Sequence, residues 1–225
     1  TSNTAGILLA NTNNNQILNN LVSSVPNGNG IWIQTSTNTV AEGNALQGST
    51  NGLRLDSSSQ TTVRENMFLD NLYRGFLIMS TSSNNQIYRN NFINNPIQAQ
   101  DFGSSNVWDF NNEGNFWSDF QNPSQGCLDN DLDGICDAPK TFALNKQDNF
   151  PFTNQDGWFN KWPIFTSTPV TQATVGQPYV YDADAVDPNN DPFFFTLLTS
   201  PQGMTIDQTT GLITWPSPST TSSIS

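Results

Sequence analysis

Four segments in the first half of the chain repeat with a period that few folds can satisfy. GILLANTNNNQILNN begins at Gly6, GIWIQTSTNTVAEGN at Gly30, GLRLDSSSQTTVREN at Gly52 and GFLIMSTSSNNQIYRN at Gly75, so the glycines stand 24, 22 and 23 residues apart. An apolar–x–apolar triplet follows each glycine: Ile7/Leu9, Ile31/Ile33, Leu53/Leu55 and Phe76/Ile78. About ten residues further on come Ile17, Val40, Val63 and Ile87, expected to point inward. Alternation over three or four residues marks short strands with one buried face, and strands that short are not stable as an isolated hairpin. Stacked coils of a parallel β-helix, three short strands to a turn, satisfy both the period and the strand length.

The corners fit the same register. Asn20, Gly43, Asn66 and Asn90 each lie three residues beyond the expected inward Ile or Val. Glycine and asparagine tolerate a left-handed backbone, and stacked asparagines can hydrogen-bond along the column. Leu8, Trp32, Arg54 and Leu77 lie between the buried pairs and should face outward. An outer column this apolar suggests a partner surface, a covering segment or, with Tyr88 in addition, a platform for sugar rings.

Toward its end the repeat carries motifs that resemble a known family. Asn106-Val107-Trp108-Asp109 is followed by Gly114 to Phe120 (GNFWSDF), by Asp129 to Pro139 and by Asp148-Asn149-Phe150-Pro151. This order resembles the end of the β-helical region in the periplasmic copper-binding (NosD-type) and related surface proteins of archaea and bacteria. The resemblance covers roughly residues 5–152. It implies a right-handed parallel β-helix whose open end is closed by Trp108, Phe116 and Trp117. It does not carry copper over, because the chain has no histidine and three methionines. Ser167 to Trp215 resembles the Ig-like or cadherin-like domains of prokaryotic surface proteins. The marks are Gly176-Gln-Pro-Tyr179, Pro201-Gln-Gly-Met-Thr-Ile-Asp207 and Gly211-Leu-Ile-Thr-Trp215, with alternation in YVYDADA and LITW. The fold expected is all-β: a right-handed parallel β-helix with its cap over residues 1–165, then a small Ig-like β-sandwich over 166–225, possible only in incomplete form if nothing follows.

The stretch CLDNDLDGICD, Cys127 to Asp137, holds both cysteines and four aspartates. Two cysteines nine positions apart suit one small disulfide in an oxidising compartment, and the CxxC spacing of a redox or metal pair is absent. Asp129, Asp131, Asp133 and Asp137 occupy positions 1, 3, 5 and 9 of an EF-hand-like loop, with Gly134 at position 6 and the Ile135 carbonyl at position 7. Lys140 stands where the bidentate glutamate would be, so a further ligand is expected from Asp148 or Asp119. Oxygen donors without imidazole or thiolate select calcium. A second candidate site, or simply a polar turn, comprises Asp182, Asp184, Asp187, Asn189, Asn190 and Asp191.

Composition narrows the function. Over 225 residues the net charge is −12, which argues against nucleic acid and anionic membranes as partners. No apolar run is long enough to span a bilayer, and the polar opening at Thr1 places any secretory signal upstream or already removed. Zero histidines exclude Ser-His-Asp and Cys-His nucleophile arrangements. Within the coils the carboxylates are Glu42, Asp56, Glu65 and Asp70 and the bases Arg54, Arg64, Arg74 and Arg89, too sparse for a defined active site. The expectation is a non-enzymatic, calcium-stabilised protein of a prokaryotic cell surface, secreted and assembling head to tail with its own copies or with other surface proteins through strand edges. The alternatives are a carbohydrate-binding adhesion module and a polysaccharide lyase or hydrolase.

Overall fold

The computed structural model describes residues 4–142, 146–159, 163–187 and 192–218. The chain divides into two compact units, Thr1–Phe159 and Asn160–Ser225. The first is a parallel β-helix of three sheets. Ala5–Ala10, Asn29–Gln34, Asn51–Asp56, Arg74–Ile78 and Ile97–Asp101 form the first sheet. The second comprises Gln16–Leu18, Val40–Glu42, Thr62–Arg64 and Gln86–Tyr88, and the third Leu21–Ser23, Ala45–Gln47, Met67–Leu69, Asn91–Ile93 and Phe116–Trp117. Each strand pairs in parallel with its counterpart one coil away, so like positions stack: Ile7, Ile31, Leu53, Phe76 and Ala99 make one inward column. The core runs along this axis, with Ile31, Leu53, Phe68, Phe76, Ile87 and Phe92 wholly buried. Burying aliphatic and aromatic side chains at roughly 1.5–3 kcal/mol each is what drives the coils to stack.

One register differs from the sequence reading. Ile17 pairs with Ala41, not Val40, and Ala41 pairs with Val63. Ala41 is buried and Val40 half-buried. The more apolar residue of Val40-Ala41 is therefore the outer one, because coil register fixes the phase that a single side chain's hydrophobicity cannot. The corner shifts with it, from Gly43 to Asn44. Asn20, Asn44, Asn66, Asn90 and Asn115 form a continuous ladder in which each side-chain NH2 donates to the next Oδ1 at 2.9–3.0 Å. These asparagines are not the left-handed residues. That conformation falls one position earlier, on Asn19, Gly43, Glu65 and Arg89, at φ between 53° and 66°. The corner thus separates two roles that the sequence reading gave to one residue.

The glycine that opens each repeat is required by proximity rather than by its φ. A Cβ on Gly30, Gly52 or Gly75 would stand 2.5–2.6 Å from the carbonyl oxygen of Gly52, Gly75 or Gln98 in the next coil. No side chain fits there.

The second unit begins earlier than the expected boundary at residue 166. Ile164–Phe165 pairs antiparallel with Ala185–Val186, which assigns these residues to it. Its other sheet places Leu212–Trp215 between Tyr179–Asp182 and Thr205–Ile206, all antiparallel. Tyr179, Met204 and Trp215 form a small core. The Tyr179 hydroxyl donates to the Val170 carbonyl at 2.6 Å and the Trp215 indole N–H to Gln202 at 3.1 Å, so both polar tips are satisfied.

Candidate functional site: the cap and the aspartate loop

The family-like motifs converge on the C-terminal end of the β-helix and close it. Trp108 and Trp117 are buried and stand 5.9 Å apart between centroids. Trp117 stacks on Phe92 at 4.4 Å, and Phe142 covers both indoles at 4.6 and 5.1 Å. Each indole N–H is donated to a buried carboxylate, Trp108 to Asp101 at 3.0 Å and Trp117 to Asp148 at 2.8 Å. Phe116 joins the third sheet beside Asn91, in the column that alternates with the inward one of Phe92 and Trp117; it is buried but stays outside the core cluster, so the expected plug is made by Trp108 and Trp117 without it. Asp101 also accepts from the Gly103 N–H and the Asn106 side chain at 2.8 and 2.9 Å. Asp109 accepts from Asn149, so Asn-x-Trp-Asp and Asp-Asn-Phe-Pro are joined to each other.

Asp148 terminates the asparagine ladder. Its Oδ2 accepts from the Asn115 N–H at 2.7 Å and from the Asn115 side chain at 3.2 Å, and its Oδ1 from the Phe150 N–H at 3.1 Å. A Cβ on Gly114 would overlap Oδ1, which is why the motif opens with glycine. Burial pushes this carboxyl up to about 7, against the pull of the Trp117, Asn115 and Phe150 donors. An unfolded aspartate titrates near 3.9. Between these values the native state holds the extra proton, so this group's contribution is fully present below about pH 4 and is lost as pH rises through about 7. Denaturant melts across that window should show stability falling with pH, and Asp148→Asn should flatten that component. An unchanged slope in the variant would assign the pH dependence to other groups.

The aspartate loop lies beside this cap. Cys127 and Cys136 are bonded, and both sulfurs are buried in the core. Cys136 N–H donates to Pro151 and Thr153 N–H to Gly134, fastening the loop to the segment after Asp148. Asp129, Asp131 and Asp133 each offer an oxygen within 4.8 Å of the others, a spacing that one cation with oxygens at about 2.3–2.6 Å can bridge. Asp129 accepts from the Asp133 and Gly134 N–H groups, and Asp133 from the Ile135 N–H at 2.8 Å. Gly134 supplies the turn at φ +84°.

Three expected ligands do not join them. Asp137 turns to the Asn130 N–H and side chain. Asp148 is held in the cap by four donor contacts, and Asp119 pairs with Lys140 at 3.0 Å. Among the described residues the acids of the second unit also do not converge. Asp129, Asp131 and Asp133 form the one such group among the described residues; Asp182 and Asp184 are exposed, Asp187 is buried, and Asn189, Asn190 and Asp191 lie outside the described residues.

The outer column is in register as expected, Leu8–Trp32–Arg54–Leu77, but it is not an open platform. Leu77 is 6% exposed, and the Arg54 guanidinium lies 4.9 Å over the half-buried Trp32 ring while pairing with Asp56 at 2.7 Å. Tyr88 belongs to the second sheet, in register with Arg64, and is 7% exposed with Phe110 at 5.3 Å. Trp32 and Tyr88 therefore cannot act on one sugar. Sequence reasoning missed Asp101. The signal available was its place five and seven residues before Asn106 and Trp108, which both bond it.

Residues 1–122 match a family model described as periplasmic copper-binding protein (NosD), and residues 163–225 match one described as putative Ig domain. No curated protein and no solved structure matches. Among the described residues no helix is long and apolar enough to cross a membrane. The copper named in the first description does not fit the donors present: there is no histidine, both cysteines are in the disulfide, and the three methionines are dispersed.

Proposed function

The chain belongs to the NosD family, and from that premise we propose that it is a non-enzymatic, extracytoplasmic structural protein of a prokaryotic cell surface, stabilised by calcium and assembling with its own copies through strand edges. The observation that carries this reading is the engagement of the motif side chains. Asn106 and Trp108 are bonded to Asp101, Asp109 to Asn149, Asn115 to Trp108 and Asp148, and Trp117 to Asp148, so these side chains are engaged within the cap. Calcium is assigned to Asp129, Asp131 and Asp133 with the Ile135 carbonyl, on a loop clamped at its base by Cys127–Cys136. The disulfide supports an oxidising compartment. Strand Ala5–Ala10 lies at the edge of the first sheet, and such edges recruit further strands.

Negative-stain electron microscopy, with calcium and after chelation, tests the assembly. Regular filaments that come apart with chelator support it; single particles at every concentration with calcium present refute it. The ion is tested separately by melting. At free calcium tenfold above its dissociation constant, the folded state should gain about 1.4 kcal/mol, and about 2.7 kcal/mol at a hundredfold. Asp131→Asn should remove most of that gain while leaving the calcium-free melt nearly unchanged. Equal gains in wild type and variant would place the ion elsewhere.

A further inference from the structure

We infer that this chain is a NosD-family scaffold without a copper site, because the side chains from which one would be built are either missing from the sequence or held in the structure by other bonds. Copper(II) in proteins draws chiefly on imidazole, and copper(I) on thiolate and thioether sulfur. Imidazole is absent throughout the 225 residues. The two thiols are joined to each other and are 3% and 2% exposed, so neither sulfur is a thiolate or open to solvent.

The thioethers lie on separate elements. Met67 lies in the third sheet, where its neighbours in the column are Ala45 and Asn91. Met79 directly follows the first-sheet strand Arg74–Ile78, and its own N–H bonds Leu55 of the preceding coil. Met204 is part of the small core of the second unit. The stacking rule of a β-helix places like positions side by side, and Met67 and Met79, one in the third sheet and one just past a strand of the first, share no column.

The buried carboxylates of the first unit, Asp101 and Asp148, are no substitute. Asp101 is held by the Gly103, Asn106 and Trp108 donors and lies 3.8 Å from the Lys146 ammonium. Asp148 is held by Asn115, Trp117 and Phe150. Recruiting Asp101 to a metal would take the acceptor from the Trp108 indole N–H, and recruiting Asp148 would take it from that of Trp117. The clustered carboxylates are the half-buried Asp129 and the exposed Asp131 and Asp133, hard oxygen donors of the kind that suits calcium and not copper. The end motif that accompanies the family match works here as a closure of the solenoid.

The test uses the full chain with its disulfide intact, dialysed against micromolar copper(II) and, in a separate anaerobic arm, against copper(I) supplied as its acetonitrile complex, both in millimolar calcium. Copper per chain is then measured by plasma mass spectrometry, with circular dichroism to verify the fold. Copper well below stoichiometric in both arms is the expected result. One copper retained per folded chain in either arm would overturn the inference. A copper(I) uptake that starts only after the disulfide is reduced, and disappears in Cys127→Ser, would support it by locating the only usable soft donors in the bond that removes them.

Discussion

Asn66→Asp should destabilise the β-helical unit by about 4 kcal/mol or more at neutral pH, although it exchanges one NH2 for one oxygen. Asn66 is wholly buried. Its Nδ2 lies within 2.8–3.0 Å of the Ala41 and Arg64 carbonyls and of Asn90 Oδ1, while its Oδ1 accepts the Asn44 N–H and side-chain NH2 at 2.9 Å. Aspartate would keep the acceptor side and direct an oxygen at three acceptors. If ionised, it is an unpaired buried charge; if protonated, it has one hydrogen for three partners. Burial raises such a carboxyl, so the loss should grow as pH rises and the charged form is enforced. Asn38→Asp is the control, since Asn38 is exposed at another left-handed position of the coil and its side chain donates to the exposed Asn14. Its effect should stay within about 0.5 kcal/mol. Urea melts of both variants at two pH values decide the matter, and similar small losses would show that the ladder is not a stabilising element.

The β-helix was legible because its signal is summed over four coils. One Gly-apolar-x-apolar quartet means little, but four in phase leave few alternatives. Where the phase depended on a single coil the reading failed: Val40-Ala41 offered a stronger hydrophobe at the wrong position, and the corner assignment followed it from Asn44 to Gly43. Phe116, expected in the plug, alternates to the other side of its strand, whereas the plug aromatics Trp108 and Trp117 were legible through their motif. Their partners were not, because Asp148 meets Asn115 across 33 residues and an aspartate in a strongly acidic chain reads as solvated surface. The same bias made Asp148 an expected calcium ligand. A buried carboxylate surrounded by N–H donors and one converging with other carboxylates look alike in sequence, and only the geometry separates Asp148 from Asp129, Asp131 and Asp133.

That separation also bears on function. The cap contains two of the chain's six tryptophans, both closed to solvent, while Asp129, Asp131 and Asp133 lie on a clamped surface loop. The residues of the cap close and support the solenoid. The half-buried outer pairs, Arg64 with Glu42 and Arg89 with Glu65 and Glu113, fit the same description, since each arginine links neighbouring coils. Exposed pairs of this kind contribute little stability each, but they fix register along the axis.

Trp117→Ala should produce the largest loss in the cap, about 4 kcal/mol, lowering the melting temperature of the first unit by roughly 10 °C. The indole is wholly buried, stacked 4.4 Å from Phe92 and flanked by Trp108 and Phe142. Its removal opens a cavity at the end of the core and takes one donor from Asp148. Trp117→Phe separates the two contributions. The ring still stacks on Phe92, so only about 1–2 kcal/mol should be lost, but with one donor fewer the Asp148 carboxyl should rise further and the pH window should move upward with it. In a solenoid each coil is supported by its neighbours, so the damage should start locally. Hydrogen exchange in Trp117→Ala should accelerate first at Asn91–Ile93, which pairs with Phe116–Trp117, and least at the coil of Asn29–Gln34. Uniform acceleration along the axis would mean that the unit melts as one block and that the plug contributes burial alone, without acting as the point from which the end is held shut.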